Sequence, residues 1–151
     1  MMGEAPETGG KSPQSAGKPP PAVLVVDDEP LTCWSIAEVL GERGYRVQKA
    51  ADAACALQAM ASGGAPDLVL LDVRLPDSND LVLLSVIHRT FPRLPVIVMT
   101  AYGSRSMTAE ARRRGAVAVI DKPFEMDVLL SIVERILADR RPDQRSLAPL
   151  Y

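Results

Sequence analysis

Four continuous apolar runs, set at intervals along the chain, limit what this sequence can fold into more than any other feature. Ala22–Asp27, Asp67–Asp72, Pro95–Thr100 and Ala116–Asp121 each carry four or five apolar residues in succession, and Tyr45–Ala50 is a weaker, alternating run. Continuous runs rich in β-branched residues suit strands covered on both faces, the condition of a parallel sheet. Five segments with helical spacing lie between and after them. Pro30 occupies a position where a first-turn proline is tolerated, and Ile36, Val39 and Leu40 then recur at helical intervals before Gly44. Ala53–Ser62 is closed by Gly63 and Gly64, and Leu81–Thr90 stops before Pro92. Ser104 can cap Ser104–Arg114, which ends at Gly115, and Met126–Ala138 sets Leu129, Leu130, Val133, Ile136 and Leu137 on one face. The order predicts a (βα)5 domain.

The rest of the chain agrees with one such domain. The 151 residues leave room for one ordinary domain plus tails. Aromatics are only 4% against 47% apolar residues, so the core must be built from Val, Leu, Ile and Ala. Residues 1–21 hold five Pro and four Gly without apolar periodicity and read as a disordered tail; 22–140 form the domain and 141–151 a short C-terminal tail. A net charge of −2 gives no field that would attract nucleic acid or an anionic membrane. No apolar run approaches a membrane span and no leader-type segment opens the chain, so a cytoplasmic location is expected. Cys33 and Cys55 lack metal-ligand spacing and read as buried thiols in a reducing compartment.

Polar residues end the strands where folding does not require them. The first run ends in Asp27 and Asp28, the third in Asp72, the fourth in Thr100, and the fifth leads into Lys122. Strands of a parallel sheet run the same way, so these side chains converge at its carboxyl edge, where ligands bind in doubly wound folds. Three carboxylates in one place repel and raise at least one pKa unless a cation sits among them. Hard oxygen ligands in an incomplete protein cage suit Mg²⁺, which keeps several waters and accepts phosphate oxygens. Lys122 supplies a compact positive charge and Thr100 a hydroxyl donor, groups that stabilise a phosphoryl group passing to a carboxylate.

The stretches "VLVVDDEP", "LVLLDVRLP", "VIVMTA" and "VIDKPF", in this order and spacing, resemble the receiver domains of two-component response regulators. The resemblance runs from about Val23 to Ala138, and "DDEPLTCWSIAEVL" is further similar to receivers of the nitrogen-regulator type. It implies a flavodoxin-like α/β fold with a five-stranded parallel sheet of order 2-1-3-4-5. It also implies bacterial phosphorelay signal transduction, with Asp72 forming a 4-aspartylphosphate. Asp28 and Asp72 would ligate Mg²⁺ directly, helped by the backbone carbonyl of Arg74, with Asp27 acting directly or through water. Lys122 would contact the phosphoryl group and Thr100 would move toward it on activation. The peptide before Pro123 is expected to be cis. The partners implied are a sensor histidine kinase or histidine phosphotransfer protein and an unidentified downstream protein reading the α4-β5-α5 face. Neither nucleic acid nor membrane is expected to bind. Such a chain is a switch that catalyses only its own phosphorylation and dephosphorylation.

Two positions depart from the family pattern. Asp80 stands where a glycine is usual in the loop after the phosphoacceptor, and Val119 stands where an aromatic ring usually precedes the lysine by three residues. Val119 is too small and stiff to act as a rotamer switch; Tyr102 is the nearest aromatic that could take a related part. Blander readings apply to other residues. His88 is expected to be solvated, Trp34 to pack its helix, and Arg112, Arg113 and Arg114 to close a helix on a solvated face. The competing function is a binding module that keeps the fold but works without phosphate. Other α/β enzymes fit poorly: a haloacid-dehalogenase-type phosphatase needs Asp where Arg74 stands, and P-loop and dinucleotide fingerprints are absent. The segment after Arg140 is too short for an output domain, so the chain either acts alone or belongs to a longer one.

Overall fold

The computed structural model describes residues 19–78, 81–101 and 103–139. Most of the expected tails, together with Asp80 and Tyr102, lie outside these residues. Five strands alternate with five helices: β1 (Ala22–Val26), α1 (Pro30–Glu42), β2 (Arg46–Ala50), α2 (Ala53–Gly63), β3 (Leu68–Asp72), α3 (Val82–Thr90), β4 (Val96–Thr100), α4 (Arg105–Arg113), β5 (Ala118–Asp121) and α5 (Met126–Asp139). The strands form one parallel sheet in the order β2-β1-β3-β4-β5. The expected doubly wound architecture is thus observed, with boundaries shifted by a residue or two at the fraying ends.

Alternation along each strand divides the core in two. Val23, Val25, Leu68, Leu70, Ile97 and Met99 face one way and pack with Cys33, Ile36 and Leu40 of α1 and Leu129, Leu130 and Val133 of α5. Leu24, Val26, Val69, Leu71, Val96 and Val98 face the other way and meet α2, α3 and Ala111 of α4. Every residue of β3 and β4 is buried, as continuous apolar runs require. Each such Val, Leu or Ile contributes about 1.5–3 kcal/mol when taken fully from water. The segment entering β1 is held by Arg46 of β2, whose backbone N–H and Nε donate to the carbonyls of Pro21 (2.9 Å) and Pro20 (3.2 Å).

Several local expectations are met and four are corrected. Pro30 begins α1, Ser104 Oγ accepts the Met107 N–H at 3.1 Å to cap α4, and Gly115 turns with φ of 111°. Cys33 is buried, but Cys55 is exposed, because the buried stripe of α2 runs through Ala53, Ala56 and Met60 and leaves Cys55 outside it. Trp34 does not pack its helix: it is 55% exposed. The stripe of α1 is Cys33, Ile36 and Leu40, and helical rotation carries Trp34 away from it, onto the solvent face with Leu31. His88 is half-buried, with its ring so close to Gly115 that a Cβ there would clash with it. Arg112 and Arg113 are exposed as expected, whereas Arg114 turns back to Glu110 (2.7 Å) and reaches Ser85 Oγ (3.2 Å) on α3.

Candidate functional site

The carboxyl ends of β1, β3, β4 and β5 meet above the sheet, and they bring together the side chains singled out from the sequence. Asp27, one residue beyond β1, is held by four bonds that use both its backbone and its carboxylate. Its N–H donates to the Ala50 carbonyl at 3.0 Å, its own carbonyl accepts the Cys33 thiol at 3.1 Å, and Oδ1 accepts the Glu29 N–H at 3.0 Å. The remaining oxygen, Oδ2, accepts Lys122 Nζ at 2.7 Å. Asp72 ends β3 on the adjacent strand, with Oδ1 3.4 Å from the same Nζ. Asp27, Asp72 and Thr100 are the only buried polar or charged side chains among the described residues. Asp28 is exposed and completes a cluster with Asp27 and Asp72 whose carboxylate oxygens lie within 4.8 Å of one another.

Lys122 reaches the cluster from the turn after β5. Its backbone N–H donates to the Thr100 carbonyl at 2.7 Å, and the Lys122–Pro123 peptide is cis, as expected. The Arg74 backbone N–H donates to the Asp72 carboxylate. Arg74, Leu75 and Pro76 form one wall of a hollow of about 450 Å³ that also takes in Asp27, Asp28, Glu29, Asp72, Ala101 and Lys122. Thr100, fully buried at the end of β4, pairs its strand with Asp121 of β5.

The carboxylates in this hollow crowd one another around a single ammonium. Burial, and then the negative charge of Asp27, push the Asp72 carboxyl above its ordinary range against the pull of Lys122. Burial also disfavours the Lys122 ammonium, but the hydrogen bond and charge of Asp27, followed by Asp72, outweigh it and hold the ammonium above its usual value. Three formal negative charges face one positive charge, and a divalent cation would balance the remainder. The donors are hard oxygens, so the residues present fit such an ion. Burial, then Asp27, likewise raises the Cys33 thiol, which makes it a poor nucleophile beside the pocket.

One contact beside the site has no signal in the sequence. The loop after β3 is fastened to the start of α2 through Asp77, whose carboxylate accepts the N–H groups of Ala53 (2.8 Å) and Ala54 (3.0 Å). These two bonds hold the Asp77 carboxyl below its ordinary range. The proline-aspartate pair Pro76-Asp77 signals a turn. Nothing local shows which helix its carboxylate will meet.

A five-stranded doubly wound sheet of this order, with an acid cluster and a lysine at its carboxyl edge, defines a receiver-type α/β domain. The chain belongs to the response regulator receiver domain family, whose family model matches residues 23–134. It is 38% identical over 121 residues to the nitrogen assimilation regulatory protein NtrX of Azorhizobium caulinodans, covering 79% of this chain and 26% of that protein. It is 34% identical over 123 residues to the DNA-binding transcriptional regulator NtrC of Escherichia coli K12, covering 82% of this chain and 26% of that protein. The chain therefore spans about a quarter of the length of these curated relatives. Among solved structures, the receiver domain of NtrX from Brucella abortus superposes with a TM-score of 0.73 at 38% identity, covering 78% of this chain and 99% of that one. A CheY-like receiver domain protein from Methanospirillum hungatei gives 0.75 at 30% identity, covering 80% and 95%. Among the described residues no helix is long and apolar enough to cross a membrane.

Proposed function

We propose that this domain accepts a phosphoryl group on Asp72 in the presence of Mg²⁺ and uses the modified state to change its affinity for a protein partner. The observation that carries this reading is the buried Asp72 carboxylate, sharing one lysine with Asp27 inside a cluster of three acids. Asp27, Asp28 and Asp72, with the Arg74 carbonyl, would hold the ion. When bound, it supplies charge neutralisation and orients phosphoryl oxygens. The chain's own groups do the rest. An Asp72 oxygen attacks phosphorus, and the P–N bond to a donor imidazole breaks as the imidazole leaves. Lys122 balances charge on the transferred oxygens, and the Thr100 hydroxyl donates to one of them.

The donor of this proposal is a sensor histidine kinase or histidine phosphotransfer protein. It must seat a phosphohistidine over the hollow and therefore cover its rim. Beside Lys122 that rim is an apolar recess of about 440 Å³ lined by Leu31, Thr32, Ser35, Pro123, Phe124 and Met126, a surface suited to a protein donor. The output face is α4, β5 and α5. Val119, half-buried in β5, offers no aromatic ring to report the change, so the route runs from Thr100 into the loop before α4 and α4 itself.

Beryllofluoride, a phosphate mimic, tests this reading with Mg²⁺ present. Amide shifts are expected around Ala101–Gly115 and Val117–Phe124 as well as in the hollow. A Thr100→Val variant, which keeps the shape and loses the hydroxyl, should still take label from acetyl phosphate while the α4 shifts shrink. Binding of the mimic with α4 and β5 silent would rule out this output face. No binding of the mimic at all would favour the module that works without phosphate.

Asp28 separates metal binding from folding. Asp28→Ala is expected to weaken Mg²⁺ by about ten-fold or more, since it removes a charged oxygen donor. Its apo melting temperature should hold or rise slightly, because one of three mutually repelling carboxylates is gone. A large apo loss with unchanged Mg²⁺ affinity would make Asp28 a structural residue and not a ligand.

A further inference from the structure

The loop after β3 supplies partners that the start of α2 does not find within its own segment. The first N–H groups of a helix lack partners within it, and α2 has its own cap, with Asp52 accepting the Cys55 N–H at 2.7 Å. Asp77 adds two more bonds from 24 and 23 residues away, one from each carboxylate oxygen. It sits in a tight turn in which the Ser78 N–H donates to the Leu75 carbonyl at 3.4 Å, and Leu75 is buried in the core. Pro76 fixes its own φ immediately before Asp77. From Asp77 the chain runs back three residues to Arg74, whose N–H holds Asp72. From Ala53 it runs back three residues to Ala50, whose carbonyl holds the Asp27 N–H at 3.0 Å. Three ties and two short segments thus connect the Asp72 carboxylate to the Asp27 backbone by way of the start of α2.

We propose that Asp77 is a positioning residue for phosphoryl acceptance at Asp72: by fastening the loop after β3 to the N-terminus of α2, it fixes the Arg74 peptide beside the acid cluster. The proposal rests on the phosphoacceptor reading above. Metal sites and their neighbours are held by such outer contacts, whose loss costs about ten-fold or more in affinity or activity. Asp77 touches neither phosphate nor metal. It decides where the Arg74 amide and carbonyl stand relative to Asp72.

Asp77→Ala and Asp52→Ala make the test, because each removes a carboxylate cap from the same helix and only the first frees the loop. Both variants should melt a few degrees lower than wild type. Asp77→Ala should lower Mg²⁺ affinity, measured by calorimetry, and the initial rate of Asp72 labelling by acetyl phosphate, each by about ten-fold. It should also shift the Arg74 amide resonance in the apo protein. Asp52→Ala should leave all three at wild-type values. Asp77→Asn, which keeps one acceptor oxygen, should recover part of the loss. Wild-type Mg²⁺ affinity, labelling rate and Arg74 shift in Asp77→Ala would overturn the proposal, as would equal losses in Asp52→Ala. Wild type that takes no label at Asp72 would instead overturn the phosphoacceptor reading itself.

Discussion

Replacing Asp72 by Asn is expected to abolish labelling by acetyl phosphate while raising the melting temperature of the metal-free protein at neutral pH. Asn matches the shape of Asp but has no carboxylate to attack phosphorus. Label persisting at full level, and mapped to another residue, would end the assignment of Asp72. The stability effect follows from the environment of the carboxyl. Burial first, and Asp27 second, raise its pKa above 3.8, so the folded state binds this proton more tightly than the unfolded chain does. The contribution of Asp72 to stability therefore falls as pH rises from the unfolded range through the folded value. Below both values wild type and variant carry a neutral group and their melting temperatures converge. Above them the variant escapes the charge penalty. One pKa unit corresponds to about 1.4 kcal/mol, and about 1 kcal/mol moves the melting temperature of a domain this size by roughly 3–5 °C. A variant less stable than wild type at neutral pH would show that attraction to Lys122, at 3.4 Å, outweighs burial.

Lys122→Met is expected to have the opposite effect on stability and a comparably severe effect on chemistry. The substitution keeps an unbranched apolar stem and removes the ammonium that lies 2.7 Å from Asp27 and 3.4 Å from Asp72. Breaking one side of a buried pair costs about 3–5 kcal/mol. Here the loss should be nearer about 2–3 kcal/mol, because one of the two abandoned carboxylates can take up a proton instead. The sign with pH is definite. Lys122 has its pKa raised by its partners despite burial, so while those partners are ionised its stabilisation is complete below 10.5 and fades as pH rises through the folded value. At the acid end the contribution is lost when the partner carboxylates protonate, and the variant should then melt close to wild type. Labelling should slow by about 10²–10³-fold, the scale for removing one preorganised charge stabiliser. Lys122→Arg should recover more stability than rate, since a planar fork replaces a point charge. Unchanged melting and labelling in Lys122→Met would remove the lysine from the site.

Most of the sheet and all of the acid cluster are legible in the sequence. Continuous apolar runs such as Leu68–Leu71 and Val96–Met99 suit strands covered on both faces, and the helical segments between them point to a parallel sheet with helices on either side. Parallel strands all point one way, so polar residues at their ends, Asp27, Asp72 and Thr100, must gather at one edge. Periodicity and connectivity are local properties, and a chain carries them on its face. What the sequence left undecided concerned rotation and reach. Trp34 and Cys55 lie outside the buried stripes of α1 and α2, because helix phase is set by which residues the sheet accepts. Arg114 leaves the cationic end of α4 to reach Ser85, 29 residues away. Asp77 finds the backbone of α2, and its sequence separation of 24 residues gives no local sign of the meeting. Such contacts depend on the docking distance between elements, which exists only once the two halves of the core have packed.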